Sequence, residues 1–162
     1  MTALAAPAQA LPGCDAFLQR LRADGADIGL DYARALVVSR VHTAAANFDI
    51  VTNANVDGTL TCQGDQFVRF EAHAVEPLRG KAGEGFERLE AVALKAALGW
   101  DAGKARSVTK GLAEEARAYF AASKERGDVY VAGKTERHEP GGIGVGMIVT
   151  EVDRALIIVV EQ

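Results

Sequence analysis

The chain has 162 residues, 49% of them apolar and 25% charged, with a net charge of −4. This is enough chain and enough apolar content for one globular domain with its own core, and it excludes a disordered polyelectrolyte. The mildly acidic balance argues against nucleic acid as a partner, which calls for a basic face. The longest apolar run, Ala155–Val160, is strand-sized and far short of the roughly 18 residues of a membrane-spanning helix.

Residues 1–13, MTALAAPAQALPG, are small, Ala-rich and uncharged. Ala8-Gln9-Ala10 matches the A-x-A pattern of a signal-peptidase site, although a charged leader and a long apolar segment do not precede it. Two readings stand: a signal-peptide remnant, or a plain disordered leader. Either way, residues 14–162 form the expected single domain.

The chain has two cysteines, Cys14 and Cys62. In an exported protein they can pair, whereas the cytosol would keep them reduced. A bridge would close a loop of about 48 residues, contributing on the order of 3–4 kcal/mol in the chain-entropy model. Two buried free thiols are the structural alternative. A third reading takes Leu11-Pro12-Gly13-Cys14 as a lipobox with an unfavourable proline, which would place a lipid anchor on Cys14. The expectation is a periplasmic or otherwise exported chain with a Cys14–Cys62 disulfide.

The first helix is expected over Cys14–Asp24, where Cys14, Phe17, Leu18 and Leu21 make one apolar stripe and Gly25 stops it. Residues 26–47 read as a helical turn from Asp31 through Leu36. A strand rich in β-branched residues follows, around Val37–Thr43. Phe48–Thr52, Thr59–Cys62 and Phe67–Val75 then form a meander separated by turn-rich clusters, and Asp57-Gly58 is the strongest hairpin signal. In the last of these strands Val68, Phe70, Ala72 and Ala74 alternate with Arg69, Glu71 and His73.

Two helices are expected next, about Glu84–Leu98 and Gly103–Arg126, joined by a short corner as a helical hairpin. Phe86, Leu89, Ala93 and Ala97 mark the inner face of the first; Val108, Leu112, Ala116, Tyr119 and Ser123 mark that of the second. The tail returns to strands: Val129–Glu136, Ile143–Thr150 and Ala155–Glu161. The last is apolar on both faces and should be central. Strand runs and helix runs are segregated. The expected class is therefore α+β: an antiparallel sheet, built from an N-terminal meander and C-terminal strands, with an N-terminal helix and a central helical hairpin packed on it.

Candidate chemistry is sparse. Asn53, Asn55, Asp57 and Gly58 stand at the offsets of the first half of a calcium loop, and Asp65 is the nearest later carboxylate. The second half departs from that pattern, because Gly64 occupies the position of the bidentate glutamate. An Asx-rich hairpin turn is the structural alternative.

Glu136 and His138 would share one face of a strand, able to hold a metal or move a proton, or else to mark a solvated strand end. Gly142, Gly144 and Gly146 precede or enter a strand rather than a helix, which removes the phosphate-loop reading. Together they make a smooth face for a helix, a ligand or a partner. No nucleophile elbow surrounds Ser39, Ser107 or Ser123.

The expectation is a non-catalytic exported binding or interaction domain. A calcium-like cation site at Asn53, Asn55, Asp57 and Asp65, and an enzyme using Glu136 and His138, are the alternatives.

Overall fold

The computed structural model describes residues 11–26, 38–39, 45–51, 56–129 and 131–160. The leader up to residue 10, the helical turn expected through Leu36, and the loop residues Asn53 and Asn55 lie outside the described residues. Within them, the chain runs α1 (Cys14–Asp24), β1 (Val38–Ser39), β2 (Ala45–Val51), β3 (Asp57–Gln63), β4 (Gln66–Val75), α2 (Gly80–Leu98), α3 (Ala102–Arg126), β5 (Gly133–Glu139), β6 (Ile143–Val149) and β7 (Asp153–Val160). The strands form one antiparallel sheet in the order β1-β2-β3-β4-β7-β6-β5. The fold is the α+β architecture expected from the sequence, with all three helices on one face.

The last strand is central, as its two apolar faces require. β7 lies between β4 and β6 and joins the meander to the C-terminal hairpin. Leu156 and Ile158 are fully buried on the helix side, and Ala155 and Ile157 are buried as well.

The helices sit where small residues admit them. A Cβ at Gly133 would overlap the Ala116 carbonyl, so β5 can lie directly under α3 only with glycine there. Two residues on, the Thr135 hydroxyl donates to the Leu112 carbonyl at 2.9 Å, a buried bond that fixes the same contact. The α2–α3 corner is set by Gly99 at φ 67° and by Asp101, whose carboxylate caps α3 through the Lys104 amide at 2.8 Å.

At the other end of the sheet, α1 packs Phe17 edge-on against Phe67 at 5.1 Å and beside Phe70 at 5.3 Å. Gly13 gives α1 no side-chain cap. Asp65 in the β3–β4 turn supplies one: its carbonyl accepts from the Cys14 amide at 2.8 Å and its carboxylate from the Asp15 amide at 3.1 Å. Next to this contact Cys14 and Cys62 form a disulfide, Cα–Cα 6.3 Å, with both residues buried. That bond occupies the sulfur that a lipid thioether on Cys14 would need.

Several local expectations are corrected. Asp57-Gly58 is not a hairpin turn but the start of β3. A Cβ at Gly58 would meet the Glu71 carbonyl at 2.8 Å and the Phe70 ring at 3.3 Å, so this glycine serves close cross-strand packing. The glycine at positive φ in the meander is Gly64, in the β3–β4 turn. Helix α2 begins at Gly80, four residues earlier than its apolar stripe implies.

Tyr119, expected on the inner face of α3, is 61% exposed. Burial of Thr109 and Ala113 centres that face about one position later, which turns position 119 outward. β5 runs over Gly133–Glu139 rather than Val129–Glu136, and Val129 is solvent-exposed beyond the end of α3.

Candidate functional site

A cleft of about 430 Å³ opens between α2 and α3, over the start of β7. Its wall from α2 carries Gly83, Glu87 and Glu90; its wall from α3 carries Arg106, Thr109, Lys110, Ala113, Glu114 and Arg117; Arg154 of β7 forms its floor and Leu78 one end. Glu90 reaches the floor because it lies one turn past Phe86 on the inner face of α2, among Phe86, Leu89, Ala93 and Leu94. Arg154 reaches it because β7 alternates, and Arg154 stands in phase with Leu156 and Ile158. Its neighbours across the sheet are Val149 and the small Ala74, which leaves room for the guanidinium.

Glu90 is 1% exposed and Arg154 8%. Their contact is a single one, Arg154 Nη2 to Glu90 Oε1 at 3.3 Å, rather than the two-pronged fork that makes such pairs strong. Arg154 also lies over the Phe86 ring, 5.1 Å from its centroid. Its Nε is buried and has no hydrogen-bond partner among the described residues.

Burial pushes the Glu90 carboxyl up to about 7, against an ordinary value of 4.5. The charge of Arg154 and the Thr109 hydroxyl draw it partly back, and Glu87 pushes it further up. Above this floor the rim carries three cations among carboxylates. Arg117 is held by Glu76 at 3.6 Å and Lys110 by Glu114 at 3.9 Å, while Arg106 forms no ion pair among the described residues.

None of these groups stood out in the sequence. One signal was available for each: Glu90 interrupts an apolar helical stripe, and Arg154 continues the inward phase of an apolar strand. Charges in such places are costly unless paired, so each implies a partner.

The residues singled out from sequence fall elsewhere. Glu136 and His138 on β5 lie opposite Gly146 and Gly144 on β6, so the register brings these four together on the face of the sheet opposite α3. Glu136 and His138 are exposed there, at the edge of the sheet. Gly142 does not join them: it sits in the Pro140–Gly142 turn at φ 70°. β5 is an edge strand, and its run of Lys134, Glu136, Arg137, His138 and Glu139 is the kind of charge that discourages edge-to-edge pairing.

Of the four residues considered for a cation, Asn53 and Asn55 are outside the described residues. Asp57 and Asp65 lie at opposite ends of β3, about 20 Å apart at the rise of a strand, so they cannot share an ion. Asp65 is engaged instead in capping α1.

A second hollow, lined by Leu11, Pro12, Gly13, Asp65, Gln66, Phe67 and Val160, has no cationic side chain and no buried polar one. No helix among the described residues is long and apolar enough to cross a membrane. Comparison with family models, curated proteins and solved structures finds no match. The fold and the cleft therefore define the molecule by themselves: an α+β domain with a disulfide at one end of its sheet and a charged cleft under its helical hairpin.

Proposed function

We propose that the chain is an exported binding domain and that the cleft between α2 and α3 is its ligand site. One observation carries this reading: the cleft floor is a buried, incompletely satisfied Glu90–Arg154 pair. A buried ion pair is a poor source of stability compared with apolar packing of the same volume. Its place at the base of an open cleft, with a carboxyl displaced towards neutrality, is the arrangement found at sites that handle ligands. The cleft volume suits a metabolite-sized molecule. Export is supported by the Cys14–Cys62 bond, since such bonds persist outside the reducing cytosol.

The test is a thermal-shift panel of small anions, neutral polar compounds and cations. A ligand at about a hundred times its Kd should raise the melting temperature by roughly 5–10 °C. The effect should weaken in Arg106→Ala and Lys110→Ala, two exposed rim positions whose loss leaves the core intact. A panel in which no chemical class stabilises the protein would contradict the assignment.

A second reading uses the face of the sheet opposite α3. It is favoured by the register that sets Glu136 and His138 opposite Gly146 and Gly144, where side chains on β6 do not stand between a protein partner and the sheet.

A further inference from the structure

We propose that the cleft takes a small ligand bearing a carboxylate or another oxyanion, and that Glu90 yields Arg154 to that ligand by taking up a proton. This rests on the cleft being a binding site and adds what it binds and how binding is regulated.

The geometry supplies the oxyanion site. Arg154 is more than nine-tenths buried, lines the cleft, and has an Nε with no hydrogen-bond partner among the described residues. Its one contact with Glu90 uses a single Nη and leaves the planar fork incomplete. A carboxylate or tetrahedral oxyanion completes such a fork, and a water-excluded guanidinium binds it far more strongly than an exposed one does. Arg106 stands on the rim with no ion-pair partner among the described residues, placed to meet a second oxygen or a second acidic group.

The proton follows from charge. Arg154 from β7 and Glu87 from its own helix act on Glu90 directly, and the same cleft is lined by Arg106, Lys110, Glu114 and Arg117 from α3, with Glu76 after β4 paired to Arg117. The cleft lining thus holds four cations against three carboxylates, and Glu76, paired with Arg117, makes a fourth beside it. An anion placed on Arg154 competes with Glu90 for the same guanidinium and adds like charge beside a buried carboxylate. Neutralising Glu90 removes that repulsion and leaves one cation in surplus. Burial has already brought Glu90 to about 7, so this protonation is inexpensive near neutral pH. The proton comes from solvent and no covalent bond changes.

The experiment is titration calorimetry of the full chain with sulfate and, separately, acetate, neither of which titrates between about pH 6 and 8. The wild type should lose affinity by about tenfold per pH unit above pH 7, with uptake of about one proton per anion. Glu90→Gln should bind with an affinity flat in pH, and Arg106→Ala should bind several-fold more weakly. Preference for acetate assigns a carboxylate ligand; preference for sulfate assigns a tetrahedral one such as a phosphate ester. Binding without pH dependence in the wild type, the same pH dependence in Glu90→Gln, or no effect of Arg106→Ala would each overturn the proposal. Failure of both anions, where neutral or cationic compounds stabilise the protein in the panel above, would overturn the oxyanion inference while leaving the cleft a binding site.

Discussion

At the scale of single residues, Glu90 decides the chemistry of the cleft. Its folded-state pKa lies above its ordinary one, so between about 4.5 and 7 the folded chain holds a proton that the unfolded chain has released. Glu90's contribution to stability is therefore fully present below about pH 4.5 and is lost as pH rises through 7. Glu90→Gln keeps the shape and removes the titration. Chemical denaturation across this range should show the variant gaining on the wild type by on the order of 3 kcal/mol between acid and mildly alkaline pH. Parallel curves would mean that Glu90 is not held in a desolvated site. The sequence did not disclose this residue. Glu90 and Arg154 are 64 positions apart, and the apolar pattern that each interrupts implies a partner without saying which. Only the packing of α2 on the sheet turns the two into a pair.

At the scale of elements, legibility followed the strength of the local pattern. Helix α1 was readable to its ends because Phe17 and Leu21 mark one face and Gly25 stops it. β7 was readable as central because both of its faces are apolar. Asp57-Gly58 misled because a glycine can serve a turn or a close approach, and the difference lies in Phe70 and Glu71 on the neighbouring strand. Tyr119 misled because an apolar stripe leaves its centre uncertain by a position.

Gly133 belongs to the same class of long-range constraint. It holds α3 on β5, and α3 forms one wall of the cleft. Gly133→Ala places a methyl group against the Ala116 carbonyl, and the helix must shift. The expected result is a loss of about 1–3 kcal/mol together with weakened ligand binding. Unchanged stability in a denaturant titration would show that α3 does not rest on this strand as described.

At the scale of the whole molecule, one end of the fold is covalently tied and the other carries the cleft. The Cys14–Cys62 bond and the Asp65 cap secure α1 to the meander, while α2 and α3 bridge from β4 to β5 across the cleft floor. If the chain works outside the cytosol, maleimide applied to freshly lysed cells should leave both cysteines unlabelled until a reductant is added. Labelling without reductant would contradict export.

The central claim is that the cleft over Glu90 and Arg154, and not the face of the sheet opposite α3, receives the ligand. A nitrogen-15 NMR titration of the full chain with the best compound from the thermal panel tests it most directly. The account predicts amide shifts gathered at Glu90, Thr109 and Arg154; shifts confined to Glu136, His138, Gly144 and Gly146 would contradict it.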